Sequence, residues 1–164
     1  MTNAEHIQTL NAQKRTIFEA FIQEVEEKLG WSCIITTSYR SIEYQNKLHI
    51  LNKKNAAAGL SAHNYGFAID CNFVKNREQL RKTTQKENWI ASGIIDVAKK
   101  YGLRWGGEFT TYYDPIHFDC VQPGYTAKWF AYIKKTYPKT WQTFEANKTN
   151  WKFYNEMAKK IKQK

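Results

Sequence analysis

Two stretches decide the expected fold of this 164-residue chain: Ser61-Ala62-His63-Asn64-Tyr65-Gly66-Phe67-Ala68-Ile69-Asp70, and Asp114-Pro115-Ile116-His117-Phe118-Asp119. The first has a turn-compatible centre with a glycine available for a positive φ, and it leads into β-branched and aromatic residues over 67–74. The second leads into a shorter strand over 116–121, whose alternation places His117 and Asp119 on one face. If the two strands lie side by side, Asp70 and His117 share a face.

A metal ion would explain a carboxylate at position 70. An aspartate buried in an apolar run is unfavourable without a partner, because burial disfavours its charged form. A cation removes this cost, and His63 and His117 would supply two imidazoles. Three protein ligands with an open fourth position are typical of a catalytic zinc. The residues therefore predict a hydrolase with one zinc ion held by His63, Asp70 and His117. The site is expected on a sheet and not on a helix, because the helical His-Glu-x-x-His pattern is absent from the sequence.

Asp114 has the placement of a general base. It lies three residues before His117, and Pro115 biases it towards an extended or turn conformation at the mouth of the strand. Zinc lowers the pKa of a bound water to roughly 7, and a nearby carboxylate that does not bind the metal can pass the remaining proton to a leaving amine.

These motifs resemble those of a known peptidase family. The patterns Ser-x-His-x-x-Gly-x-Ala-x-Asp at 61–70, Trp105-Gly106-Gly107 and Asp114-x-x-His117-Phe118 are similar to those of VanY-like carboxypeptidases and phage L-alanyl-D-glutamate endopeptidases. The block Thr37-Ser38-Tyr39-Arg40-Ser41, followed by Gln45, is similar to an earlier block of the family. The resemblance covers roughly positions 30–122. It implies an α+β, Hedgehog/DD-peptidase-like fold, in which amphipathic helices flank a small antiparallel sheet that carries the zinc site.

The resemblance also implies a role for each matched residue. The matches to His63, Asp70 and His117 bind zinc, the match to Asp114 is the base, and the match to Arg40 faces the substrate and the developing oxyanion. Ser61 and Gln45 are further candidates for substrate binding.

Some readings of these residues stay open. The alternative for Arg40 is a surface ion pair with Glu43. Glu108 stands where the family more often has Asp, and Asp119 where it has Gln or Glu. Both departures leave the metal set intact and bear on substrate contacts. Tyr112 and Tyr113 either line a peptide cleft or cover the edge of the core.

The expected function is hydrolysis of peptidoglycan stem peptides at the L-alanyl-D-glutamate bond, as in the phage lysis enzymes. The alternative is a D-alanyl-D-alanine carboxypeptidase or dipeptidase with the same metal chemistry. A second alternative, of another class, is a non-catalytic, zinc-stabilised module that binds cell wall or nucleic acid. For the expected peptidase, the partner is bacterial peptidoglycan and no dedicated nucleic-acid partner is expected. The protein is expected to be a monomer.

The charge and the start of the chain indicate where it acts. Residues 1–120 hold 15 Lys and Arg against 13 Asp and Glu, whereas residues 121–164 hold 10 Lys against Glu145 and Glu156. The basic C-terminal region is either a solvated surface or a site for anionic wall polymers or a membrane surface. Residues 1–17 lack a signal-peptide pattern, so we expect synthesis in the host cytoplasm and holin-dependent release to the wall.

Periodicity predicts the remaining elements of two regions, a catalytic domain over 1–122 and basic C-terminal helices over 123–164 packed on it. We expect a helix over 17–29 that ends at Gly30, a strand over 31–37, and a helix from Ser41 to about Lys54 with Leu48 and Leu51 inward. Residues 75–87 are expected to form a loop or short helix that serves as a flap, and residues 89–100 a single helix. Cys71 and Cys120 are expected in the core, and His6 and His49 on the surface without a role.

Overall fold

The computed structural model describes residues 1–121 and position 135. The predicted C-terminal helices of 123–164 therefore lie outside the described residues, apart from the helical Lys135. Within residues 1–121 the helices are α1 (Asn3–Gln8), α2 (Arg15–Glu24, continued by a π-helical turn at Val25–Leu29), α3 (Ile42–Leu51), α4 (Lys86–Ala91) and α5 (Ile94–Lys100). The strands are β1 (Ser32–Thr37), β2 (Ala68–Lys75), β3 (Glu78–Leu80), β4 (Arg104–Trp105) and β5 (His117–Asp119). Short 3₁₀ turns cover Ala62–Tyr65 and Gly106–Glu108.

The strands form one antiparallel sheet with β2 at its centre. The strand order is β1-β2-β5-β4, and β3 pairs with β2 as well. β5 pairs with the first half of β2, with Asp70 directly opposite His117, and β3 pairs with the second half, with Phe73 opposite Leu80. The α+β fold and its small antiparallel sheet are therefore as predicted.

One face of the sheet carries the core and the other carries the site. Directly paired residues share a face, so Ile69 and Phe118 point one way and Asp70 and His117 the other. Phe118 is completely buried and packs against Phe21 of α2, with ring centroids 5.2 Å apart. Cys71 and Cys120 are buried, in agreement with the prediction, and neither forms a disulfide. The core therefore holds the sheet from behind and leaves its polar face for the site.

Helix ends follow their sequence signals. The Ser41 hydroxyl caps α3 by accepting a hydrogen bond from the Tyr44 N–H. Gly30 ends the second helix with a left-handed φ of 71°.

No helix of residues 1–121 has the length and apolar character needed to cross a bilayer.

Three local predictions were wrong. Residues 78–80, expected within a loop or short helix, form the strand β3. Only Leu80 of this strand is buried, so the polar Glu78 and Gln79 give no strand pattern in the sequence. The single helix expected over 89–100 is divided into α4 and α5 at Gly93, whose φ of 80° is left-handed. Leu51 is 82% exposed instead of inward, because α3 turns the polar residue Gln45 towards the protein.

Gly66 allows the N-terminal segment to pack against the loop that carries His63. Its φ is 67°, its carbonyl accepts the Asn11 N–H at 3.1 Å, and a Cβ at this position would overlap the Asn11 nitrogen. Gly102 has a similar φ of 71° but open space around it. We expect Gly102→Ala to lower the free energy of unfolding by roughly 1 kcal/mol and Gly66→Ala by about 1–3 kcal/mol more, as measured by urea denaturation. Equal losses would show that the contact with Asn11 adds nothing.

Candidate metal and active site

Three side chains converge where β2 and β5 meet. The Asp70 Oδ1 lies 3.1 Å from both His63 Nε2 and His117 Nδ1, and the two imidazole nitrogens are 3.2 Å apart. All three residues are buried, and their potential ligand atoms lie within 4.8 Å of one another. His63 comes from the 3₁₀ turn before β2, and the other two residues are direct neighbours across the sheet. In residues 1–121 this is the one group with metal-binding geometry.

Each of these side chains is oriented by a hydrogen bond on the side that faces away from the cluster. His63 Nδ1 donates to the Ser38 carbonyl at 2.6 Å, so its Nε2 faces the cluster. His117 Nε2 donates to Asp119 Oδ2 at 3.0 Å, so its Nδ1 faces the cluster. Arg40 Nη2 donates to Asp70 Oδ2 at 2.6 Å, which leaves Oδ1 for the centre. Three separate partners therefore aim two nitrogens and one oxygen at the same point.

The pKa shifts show that this point favours a positive charge. Burial lowers the pKa of His63 and alone would lower that of His117, but hydrogen bonds and charges from Asp119 and Asp70 raise the pKa of His117 to about 10. Burial opposes ionisation of Asp70 as well, yet the two imidazoles hold its pKa well below the ordinary value. The carboxylates that raise the pKa of His117 would attract a metal cation at this point in the same way. Two imidazoles and a carboxylate are a donor set that suits Zn²⁺, so the residues fit the ion.

Asp114 lies beside this cluster without joining it. Its backbone N–H donates to Gly106 O at 3.1 Å and its carbonyl accepts the His117 N–H at 3.1 Å, which fixes the segment between them. Gly106 is needed at this contact, because a Cβ there would overlap the Asp114 carbonyl. Among the described residues the buried Oδ1 of Asp114 has no hydrogen-bond partner. Burial, together with the nearby Asp70 charge, raises the pKa of Asp114. A buried acceptor without a donor is a position that a reacting group can satisfy.

A cavity of about 750 Å³ opens onto the cluster, and all seven site residues predicted from the sequence line it. They are Arg40, Gln45, Ser61, His63, Asp70, Asp114 and His117. Tyr112 and Tyr113 also line the cavity and are about two-fifths exposed. The loop of the two tyrosines therefore forms a wall of the cleft.

Two sequence interpretations need correction. Arg40 does not pair with Glu43, which pairs with Lys47 at 2.8 Å, because the Arg40 guanidinium turns inward to Asp70. His6, which was assigned no role, is half-buried and its Nδ1 lies 2.8 Å from the hydroxyl of Ser38, whose carbonyl orients His63.

Asp119 is the residue whose importance the sequence concealed. It is completely buried, it accepts the His117 N–H, and Arg104 donates to both of its oxygens at 2.8 Å. Arg104 and Asp119 are direct partners between β4 and β5. The alternation of 117–119 placed Asp119 on the correct face, but its contact with Arg104 depends on a strand pairing that the sequence did not reveal.

We expect Asp119→Asn to weaken Zn²⁺ binding by about 10- to 100-fold, because the carboxylate fixes the orientation and basicity of His117. Competition with a chromophoric chelator measures the affinity. Asp96→Asn, the same change on the exposed surface of α5, should leave it unaltered. Unchanged affinity in Asp119→Asn, with only a lower melting temperature, would mean that Asp119 supports the fold and not the metal.

Comparison with known proteins agrees with this geometry. Residues 54–120, which contain both metal-site stretches, match the model of a peptidase family described as D-alanyl-D-alanine carboxypeptidase. The peptidoglycan L-alanyl-D-glutamate endopeptidase CwlK of Bacillus subtilis is 27% identical over 106 residues, which cover 56% of this chain and 62% of that protein. The match therefore spans less than two thirds of the relative.

Two solved structures share the fold. The L-Ala D-Glu endopeptidase ChiX of Serratia marcescens superposes with a TM-score of 0.53 and 17% identity, covering 72% of this chain and 85% of that one. The vancomycin-resistance D,D-dipeptidase VanXYg superposes with a TM-score of 0.50 and 19% identity, covering 78% of this chain and 60% of that one. The resemblance read from the motifs is thus confirmed: residues 54–120 match the model of this peptidase family, and the chain has the Hedgehog/DD-peptidase-like fold.

Proposed function

We propose that this protein is a zinc metallopeptidase that hydrolyses the L-alanyl-D-glutamate bond of peptidoglycan stem peptides. The observation that carries the proposal is the convergence of His63, Asp70 and His117 beside the unsatisfied Oδ1 of Asp114, inside a cavity large enough for a short peptide. The similarity to CwlK and the shared fold of ChiX support this bond as the target.

The bound Zn²⁺ would polarise the scissile carbonyl and lower the pKa of the attacking water. Asp114 takes the proton from this water through its unsatisfied Oδ1 and then gives it to the leaving amine. Its raised pKa suits both steps, because it makes the carboxylate a stronger base towards the water and keeps its protonated form populated nearer to neutral pH for transfer to the amine.

Arg40 performs two tasks in this scheme. Its Nη2 holds Asp70 at 2.6 Å, and within residues 1–121 its Nη1 makes only a long contact of 3.4 Å with Gln45 Oε1. The guanidinium has five N–H donors, so donors remain for the substrate carbonyl as negative charge develops on its oxygen. Gln45 is itself fixed by a 2.7 Å hydrogen bond to the Ala56 carbonyl, and Ser61 lines the same cavity.

The second candidate is a D-alanyl-D-alanine carboxypeptidase or dipeptidase, which the description of the matching family and the fold of VanXYg favour. Incubation of purified muropeptides with the zinc-loaded protein separates the two activities. Cleavage at L-alanyl-D-glutamate creates a new N-terminal D-glutamate, whereas the second activity releases D-alanine or its dipeptide. Mass spectrometry of the products identifies the bond, and recovery of intact muropeptides would refute both.

We extend the proposal to intact cell walls, since the motifs resemble those of phage lysis enzymes. In this scheme residues 1–122 form the catalytic domain, and the basic residues of 123–164 attract anionic wall polymers. Clearing of a suspension of sacculi by the full chain, with a rate that falls as salt is added, is the expected behaviour.

A further inference from the structure

The topology of the sheet brings a lysine to the catalytic carboxylate. β3 and β5 both pair with the same strand, β2, where Leu80 lies opposite Phe73 and His117 opposite Asp70. The end of β3 therefore points towards the start of β5. Lys82 lies two residues after the end of β3, and Asp114 lies three residues before the start of β5. The Lys82 Nζ lies 3.8 Å from Asp114 Oδ1.

The backbone at Lys82 is fixed by contacts on both sides. Residues 81–84 close a turn, in which the Thr84 N–H donates to the Arg81 carbonyl at 3.0 Å and the Thr84 hydroxyl accepts the Arg81 N–H at 2.9 Å. The buried Trp89 donates its indole N–H to the Arg81 carbonyl at 3.3 Å. The Tyr113 hydroxyl donates to the Thr84 carbonyl at 2.9 Å, which ties this turn to the loop of Asp114. Lys82 is thus a cavity residue on a fixed turn.

The ammonium of Lys82 has donors to offer to a ligand. Its side chain is 67% exposed and lines the cavity, and 3.8 Å to Asp114 exceeds hydrogen-bond length. Arg40, by contrast, already donates to Asp70, and its remaining donors are assigned to the substrate carbonyl. An ammonium carries three N–H groups, so Lys82 can bind an anionic group that enters next to Asp114.

We propose that Lys82 binds the free carboxylate carried by the residue that departs with the scissile amine. This inference rests on the proposed function, in which Asp114 delivers its proton to that amine. In an α-amino acid the nitrogen and the carboxylate oxygens are at most about 3.7 Å apart. That span is close to the 3.8 Å between Asp114 Oδ1 and Lys82 Nζ, so the amine can meet Asp114 while the carboxylate meets Lys82.

The substrate class follows from this geometry. Both candidate bonds place a carboxylate on the carbon next to the scissile nitrogen: the free α-carboxylate of stem-peptide D-glutamate, and the C-terminal carboxylate of D-alanyl-D-alanine. Lys82 therefore selects peptides whose leaving residue has a free α-carboxylate, and it disfavours those in which this group is an amide. The first candidate bond would then be cut more slowly in stem peptides that contain D-isoglutamine.

Paired substrates test the inference. The kcat/KM of the zinc-loaded protein is measured on a stem peptide with D-glutamate and on the same peptide with D-isoglutamine, and likewise on D-alanyl-D-alanine and its C-terminal amide. We expect the wild type to prefer the carboxylate form of the substrate it cleaves by about tenfold, and Lys82→Met to lose most of this preference. Lys47→Met is the matched control, since Lys47 is 66% exposed on α3 outside the cavity lining, and it should keep the wild-type preference.

The outcomes separate the possible causes. If Lys82 acted only on the acidity of Asp114, Lys82→Met would change turnover of both forms equally, and the inference would be wrong. Loss of the preference in Lys54→Met instead would assign the carboxylate to another lysine of the cavity lining and also overturn it. Failure of the wild type to cleave either pair would refute the proposed function itself, whereas cleavage of one pair without a preference would refute only the role of Lys82.

Discussion

Asp114→Asn should lower kcat by about 100- to 10,000-fold while the affinity for Zn²⁺ stays at the wild-type value. The amide keeps the size of the side chain but cannot take a proton. Retained metal is expected because Asp114 lies beside the cluster, held by its backbone contacts with Gly106 and His117, and contributes no atom to it. Steady-state kinetics on a stem peptide and a zinc titration of the same preparation measure the two quantities.

A matched control separates the loss of the base from a general effect of removing a carboxylate. Glu108→Gln makes the same chemical change in the segment that leads to Asp114, where Glu108 is exposed and pairs with Lys99 at 2.7 Å. This variant should retain nearly full activity. If Asp114→Asn lost zinc in parallel with activity, Asp114 would be a ligand and the assignment of the base would be wrong.

His63→Ala should abolish zinc binding and peptide hydrolysis together. In the proposed site His63 provides one of three ligand atoms, so its loss should weaken metal binding by more than the roughly 10- to 100-fold that outer-shell changes cost. His49→Ala is the control, because His49 bonds to the Asn55 carbonyl and lies outside the metal group.

Thermal unfolding distinguishes metal loss from damage to the fold in these variants. A ligand that binds only the folded state raises the melting temperature, so added Zn²⁺ should stabilise the wild type and His49→Ala. It should leave the melting temperature of His63→Ala unchanged, even though removal of a buried side chain already lowers it. Zinc-dependent stabilisation of His63→Ala equal to that of the wild type would contradict the ligand set.

Local patterns were sufficient to predict the arrangement at the centre of the sheet. Alternation in 116–121 and the apolar run of 67–74 placed His117 and Asp70 on faces that meet when the strands pair, and the structure pairs these two residues directly. A strand has a fixed period of two, so the face of each side chain follows from the sequence once the strand is recognised.

Contacts between distant segments were beyond the reach of local patterns. β3 exists because it pairs with β2, although Glu78 and Gln79 are exposed and give no apolar alternation. The approach of Lys82 to Asp114 depends on that strand and was therefore missed. Arg40 was placed at the site, but its bond to Asp70 spans thirty residues and could not be distinguished from a surface pair with Glu43.

The metal site itself is tested most directly by anomalous diffraction at the zinc absorption edge from crystals of the zinc-loaded protein. We expect one anomalous peak between His63 Nε2, Asp70 Oδ1 and His117 Nδ1, at about 2.0–2.2 Å from each. Ser38, Arg40 and Asp119 should still hold the outer atoms of these side chains. A peak elsewhere, or these three side chains still bonded directly to one another with no peak between them, would contradict the site on which the proposed chemistry depends.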